Sequence, residues 1–318
     1  MSLKRILAAT CFAAVPLLAS AQSAPIRIVV PFSAGGATDT VARGLAGQLS
    51  RIWGESVIVE NRPGAAGTIG ARQVASAAPD GRTLVIVASG HAINELVNEK
   101  LPYRTLDDFT AVAQVVDVPN VLLVPKASPY DNLRKLIEAS KEKGSQISYG
   151  TSGMGTSVHL AGELFKSMSG ANMEAIFFKG DSESLANVMG GHVQVSMNTV
   201  PGAKTQIDAG SVRALAVTSR TRLPNLPGIP TIAEAGVAGY EMSTWFGILG
   251  PKGMDPANTQ RINADIRKAM TSPELAAAMV DKGMIVNVGT PRDFDQLIRQ
   301  EIEKWRPYVE RLGLRGKY

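Results

Sequence analysis

The sequence predicts an α/β fold of two domains built on parallel sheets and joined by two crossing segments. Three observations carry that expectation. Apolar, β-branched runs alternate with helical patterns over the first two thirds of the chain, the mark of βαβ units. Two stretches, Ile26–Leu49 and Ile147–Met168, share one build: a short apolar run, a glycine-rich turn, and an amphipathic segment opened by small hydroxyl residues. The last third changes character and reads as helix over Pro256–Thr271, Pro273–Lys282 and Pro291–Leu312, with little strand between.

In order, Ile26–Pro31, Val57–Glu60, Thr83–Ala88, Val121–Val124, Ile147–Gly150, Glu174–Phe178, Val193–Met197, Val212–Thr218 and Thr244–Leu249 are short apolar runs bounded by turn residues, hence strands. Helical spacing falls between them at Thr38–Ile52, Gly67–Ala77, Tyr130–Lys143, Thr156–Ser169, Ser182–Met189 and Ala203–Asp208. The run from Val118 leads into Pro125, and Ser128-Pro129 then opens a helix, which makes a first crossing. The Pro- and Gly-dense stretch from Leu223 to Gly239 leads into WFGILGP, which carries the chain back. The expected division is residues 25–124 and 244–318 for one domain and 125–243 for the other, a hinged clamshell.

Residues 1–21 read as a secretory signal. Lys4 and Arg5 form the positive end, Ile6 to Leu18 the apolar stretch, and Ala19-Ser20-Ala21 the cleavage box before Gln22. The apolar stretch is too short to span a bilayer as a helix. Cleavage removes Cys11, the single cysteine, so the mature chain has no disulfide, thiol chemistry or Cys-based metal site. These features fit a bacterial periplasmic protein. The remaining 297 residues are ample for two domains with substantial cores. The formal charge of +5 falls to +3 as Lys4 and Arg5 leave, and the basic residues are scattered without aromatic interleaving, so no nucleic-acid partner is expected.

A strand feeding a helix through glycines leaves the first helical N–H groups unpaired, a seat for an anion. Other readings fit less well. Gly153-Met154-Gly155 begins a dinucleotide fingerprint, but Val158 stands where its third glycine belongs. The one Gly-Lys pair, Gly316-Lys317, lies at the terminus, so there is no phosphate loop of the Walker type. Gly150-Thr151-Ser152-Gly153-Met154 misses the hydrolase elbow at its last position, and no orienting carboxylate is signalled for His159. His91, His159 and His192 have no metal-ligand spacing and read as ordinary polar contacts. Asp107-Asp108 reads as an exposed turn or helix cap, and Asp39 either complements the helix dipole or shapes its loop. No catalytic residue, metal or cofactor is therefore expected.

What remains is anion binding. Ser33, Ala34, Gly35 and Gly36 offer backbone N–H groups on one side. Ser152, Gly153, Gly155, Thr156 and Ser157 offer N–H and hydroxyl groups on the other. Small side chains let a ligand touch the backbone directly. Hydrogen bonds to a charged group contribute about 1.5–3 kcal/mol each, so a handful suffices for roughly micromolar to nanomolar binding. An ordinary glycine-rich βα turn remains the alternative for each stretch taken alone.

The segments PIRIVVPFSAGGATDTVAR, VIVENRPGAAGTIGA, APDGRTLVIV, YGTSGMGTSVHLAGELF, NVMGGHVQVSMNT, VRALAVTS, LPGIPTIAEAG and WFGILGPKG resemble, in order, the periplasmic solute-binding proteins of the tripartite tricarboxylate transporter system, the Bug proteins. The resemblance covers nearly the whole mature chain. It implies a type II periplasmic binding protein fold, a Venus flytrap that closes on a small organic acid. It implies no enzymatic activity, a monomer, and delivery to inner-membrane permease subunits. Positions matching the family's carboxylate-gripping loops are Phe32, Ser33, Ala34, Gly35, Gly36, Thr38 and Asp39, with Ser152, Gly153, Gly155, Thr156, Ser157 and His159 opposite. Ser89, Phe178 and Asn198 complete the candidate set. The chain departs from the family at Phe177-Phe178, where Pro-Tyr is common, and at Gln194 and Asn198, where acids are common. Fewer acids would suit a more anionic ligand, and the phenylalanines an aromatic one. Two other functions stay open: docking of the loaded protein to a sensor domain, and an exported hydrolase using Ser152 and His159.

Overall fold

The computed structural model describes residues 24–311 and 313–316, so the signal-sequence reading lies outside the described residues. Among the described residues, ten strands and ten α-helices follow one another. The first half is built from β1 (Ile26–Val30), α1 (Ala37–Trp53), β2 (Val57–Asn61), α2 (Thr68–Ala75), β3 (Thr83–Ala88) and α3 (Gly90–Val97). β4 (Phe109–Pro125) carries the chain across to α4 (Leu133–Lys141), β5 (Ser148–Thr151), α5 (Ser157–Ser169), β6 (Glu174–Phe177), α6 (Asp181–Met189), β7 (Val195–Thr199), α7 (Val200–Asp208) and β8 (Val212–Val217). β9 (Ser243–Pro251) brings it back to α8 (Pro256–Met270), α9 (Pro273–Asp281), β10 (Ile285–Val286) and α10 (Pro291–Arg311).

One long strand organises both halves. β1 pairs in parallel with β2 and β3, and β3 pairs antiparallel with β9. From Phe109 to Pro119, β4 pairs with β9; from Asn120 onward it pairs with β7, and from Val121 with β8. β5 joins the second sheet in parallel with β6 and β7. The change of partner thus falls at Pro119/Asn120, opposite Ser243 at the start of β9, whereas the expected division stands at residues 124/125.

Alternation explains why the parallel strands read as unbroken apolar runs. Ile28 and Val30 of β1 pack towards α1, α8 and α9, and Val29 packs towards α2 and α10, so both faces are covered. The second sheet is covered by α4 and α5 on one face and by α6 and α7 on the other. Helix starts follow local chemistry. Asn132, Thr156, Thr199, Asp255 and Ser272 each accept a backbone N–H three residues on, and prolines stand in the first turns of α7, α8 and α9.

Three expectations need correction. The strand expected at Val121–Val124 is the end of the seventeen-residue β4, in which Asp117, Pro119 and Asn120 interrupt the apolar run where the strand changes sheets. A helix unforeseen in the sequence, α3, fills Gly90–Val97 just after β3. The C-terminal helix does not belong to the first half alone. Its Trp305 and Val309 join the core beneath α5, and Arg311 donates to the Ser167 hydroxyl at 3.1 Å. Glu301 ties α10 to the crossing strand by accepting the indole N–H groups of Trp245 at 2.8 Å and Trp305 at 3.2 Å.

Candidate functional site

β1 ends at Val30, and residues 31–36 turn the chain into α1. No side chain caps α1, which leaves its first-turn N–H groups without a side-chain acceptor. Asp39, in that turn, instead braces the loop. Its Oδ2 accepts the Gly35 N–H at 2.9 Å and Arg43 Nε at 2.8 Å, and its Oδ1 accepts Asn61 Nδ2 at 2.9 Å. Asn61 Nδ2 also donates to the Phe32 carbonyl at 3.1 Å. Burial pushes the Asp39 carboxyl up, but hydrogen bonds from Arg43, Gly35 and Asn61 outweigh it and hold it below the usual range. Gly35 has φ +84°, and an added Cβ there meets nothing within 4 Å. The backbone conformation, not close approach, requires that glycine.

The loop after β5 is braced in a similar way. The Thr156 hydroxyl accepts the His159 N–H at 3.3 Å and donates to the Gly153 carbonyl at 2.8 Å. The Gly155 N–H donates to His159 Nδ1 at 3.1 Å, and burial lowers the His159 pKa to about 4, so the ring is a neutral acceptor. Its Nε2 lies 3.9 Å from Glu163. Several N–H groups that the sequence offers to an anion are therefore spent on holding the loops.

The two loops meet. Pro31 and Phe32 of the first, with Ala66, Gly67, Gly90 and His91, form one wall of a cavity of about 30 Å³; Gly155, Thr156 and Ser157 form the facing wall. A Cβ on Gly90 would lie 3.4 Å from the Gly155 carbonyl and the Ser157 nitrogen, so the halves approach backbone to backbone. At roughly 10–15 Å³ per water, this space holds about two waters.

The remaining expected positions are distributed as follows. Ser33, Ala34 and Gly35 are exposed and Gly36 is half-buried, and none of the four lines the cavity. Thr38 is buried in the first turn of α1. Ser89 is fully buried between β3 and α3. Ser152 and Gly153 are half-buried beside the cavity wall. The Phe178 ring closes over Gly150, where a Cβ would lie 2.9 Å from it. Asn198 is fully buried and committed within the second half, donating to the Asp181 carbonyl at 2.9 Å and accepting from the Ser196 hydroxyl. Gln194 likewise accepts the N–H and hydroxyl of Ser148, each at 3.0 Å.

Seven residues of the wall were not foreseen: Pro31, Ala66, Gly67, Val87, Ala88, Gly90 and His91. Ala65 and Ala66 hold left-handed backbone, φ +46° and +51°, between two positive-φ glycines. The usable signal was the run Pro63-Gly64-Ala65-Ala66-Gly67, whose density of turn residues marks a forced conformation. Buried side-chain atoms without a hydrogen-bond partner among the described residues include Ser89 Oγ, His91 Nε2, Asn120 Oδ1 and Thr151 Oγ1. They stand after β3, in the first turn of α3, where β4 changes sheets, and at the end of β5. Burial also pushes the Asp181 carboxyl up, against hydrogen bonds from Thr199. Among the described residues no three acids, histidines or cysteines are placed to hold a metal ion, and no helix is long and apolar enough to cross a membrane.

Comparison with known proteins agrees with this geometry. The family model TctC, the tripartite tricarboxylate transporter family receptor, matches residues 41–314. BugT of Bordetella pertussis is 34% identical over the full length of both chains. Among solved structures, Rpa4515 of R. palustris with adipate is 35% identical, covers 91% of this chain and 97% of its own, and superposes with a TM-score of 0.87. MatC from Rhodopseudomonas palustris with bound malate is 29% identical over 90% of this chain and 98% of its own, with a TM-score of 0.83. With its two α/β halves and facing loops, the chain belongs to the tripartite tricarboxylate transporter receptors, the Bug family of solute-binding proteins.

Proposed function

We propose that this protein captures a small organic carboxylate in the periplasm and delivers it to a membrane permease of the tripartite tricarboxylate type. The observation that carries the reading is the meeting of the loop after β5 with the loop after β1 and the start of α3 around one cavity. Backbone N–H groups, hydroxyls and neutral side chains suit a carboxylate that exchanges water for fixed dipoles. The names of two relatives record adipate and malate as their ligands.

Both halves wall the cavity, so we assign ligand entry to their parting. The hinge we assign is the pair of crossings, Pro119/Asn120, where β4 exchanges one sheet for the other, and Ser243, where the returning chain enters β9 opposite Pro119. Calorimetric titration with malate, adipate and a panel of other organic acids tests capture, and small-angle scattering with and without the bound acid tests closure. Binding with a smaller radius of gyration is expected. No heat and no rise in melting temperature with any acid would overturn the reading.

A further inference from the structure

His91 stands in the first turn of α3, is 7% exposed, and lines the cavity between the two halves. Its ring is clamped. It stacks on Tyr103 with centroids 5.1 Å apart and planes 21° apart, and Phe109 meets it edge-on at 5.1 Å. Nδ1 lies 3.1 Å from the Tyr103 hydroxyl, while Nε2 has no partner among the described residues. A buried polar nitrogen left unpaired costs about 1–3 kcal/mol, and that it belongs to a residue of the cavity wall calls for a ligand-side account.

The tautomer follows from the neighbours. Burial lowers the His91 pKa to about 3 and raises that of Tyr103 to about 12, so both groups keep their neutral forms at ordinary pH. A phenol O–H is the stronger donor and a neutral imidazole nitrogen the stronger acceptor, so in the 3.1 Å contact the Tyr103 hydroxyl donates to Nδ1. An imidazole that accepts at Nδ1 carries its hydrogen on Nε2.

We infer that His91 is a ligand-binding residue, an uncharged N–H donor to a carboxylate oxygen of the solute, with Tyr103 the positioning residue that fixes its tautomer. This rests on the carboxylate-capture reading and extends it. The first half contributes a side-chain donor besides the helix N–H groups, and that donor carries no charge. A neutral donor recognises the oxygen without the desolvation cost of a buried cation. It also keeps the wall free of counterions when the cleft is open.

The test uses the mature protein with malate and adipate as probes. ¹⁵N spectra of the imidazole should show the hydrogen on Nε2 before any acid is added, and the Nε2 resonance should move on saturation with a bound acid. His91→Phe preserves the stacked ring and removes the donor; at least a tenfold loss of affinity is expected with little change in melting temperature. His91→Gln serves if the Phe variant fails to fold, and should recover part of the affinity. Tyr103→Phe should populate the other tautomer in the same spectra. Wild-type binding that persists within twofold in His91→Phe overturns the inference alone, as does an Nδ1–H tautomer in the wild type or an Nε2 resonance unmoved by a bound acid. Failure of the wild type to bind any of the organic acids overturns the capture reading and the inference with it.

Discussion

The carboxylate of Asp39 accepts the N–H of Gly35 at 2.9 Å, so the loop after β1 is held by the helix it feeds. The same carboxylate accepts from Asn61 and Arg43, and its side chain is 4% exposed against 54% for Arg43. The exposed arginine contributes little through charge alone. The buried acceptor matters more, because its removal leaves the Gly35 and Asn61 donors without their partner. Asp39→Ala should therefore cost about 2–3 kcal/mol in urea unfolding. Asp39→Asn, which keeps one acceptor oxygen, should cost less. Equal and negligible effects of both variants would show that the brace contributes no stability.

Gly90 offers a way to separate folding from closure. A Cβ there lies 3.4 Å from the Gly155 carbonyl and the Ser157 nitrogen, both in the opposite half, and Gly90 is not in a left-handed conformation. Alanine fits in van der Waals contact. Valine adds two methyls that the facing backbone cannot yield to while the halves are together. Gly90→Val should keep its melting transition within a few degrees, since valine is no poorer a helix former than glycine, yet lose compaction on addition of malate or adipate in small-angle scattering. Normal compaction in this variant would place the closed contact elsewhere.

Stability should fall on mild acidification. Burial lowers His91 to about 3 and His159 to about 4, against an unfolded value of about 6.5. Between those limits the unfolded chain binds protons that the folded chain refuses, so this contribution is complete above about pH 6.5 and is lost as the pH drops towards 4. Two such groups give a slope approaching about 2.7 kcal/mol per pH unit near pH 5. Asp117 and Asp181, both raised by burial, oppose it in the carboxylate range. Urea midpoints from pH 8 to pH 5 measure the slope, and His91→Phe should remove about half of it. A flat profile would contradict the neutral burial of both rings.

The order of strands and helices was legible because apolar periodicity and turn residues act locally, and most helix starts coincide with a capping residue visible in the sequence. β4 was read short because strand-breaking residues can be tolerated where a strand changes sheets, a tertiary event with no local mark. The glycine loops were legible as turns from residue type alone, since only glycine takes φ values such as +84° at Gly35 or +121° at Gly153 without strain. Their partners were not. Which N–H groups are spent on Asp39 and His159, and which side chains of α3 reach the facing loop, depends on packing between segments far apart in the chain.

Ala65 and Ala66 hold a conformation that glycine would adopt freely. Left-handed backbone costs an L-residue about 1–2 kcal/mol, and here two in succession stand between Gly64 at φ +129° and Gly67 at φ +92°. Ala66 lines the cavity, and its carbonyl accepts Asn94 Nδ2 at 3.4 Å. Strain of this kind persists where the surroundings over-determine the backbone. Ala66→Gly relieves the strain but gives the unfolded chain more freedom, about 0.4–1 kcal/mol in the other direction. The balance favours the variant by about 0.5 kcal/mol, a rise of one or two degrees in melting temperature. The same change loosens the wall before ligand arrives, so affinity for malate or adipate should fall several-fold while stability rises. Opposite signs for the two effects are what distinguish a wall held rigid for binding from a turn that is merely strained; a variant that loses both stability and affinity would mean that the Ala66 methyl is needed for packing.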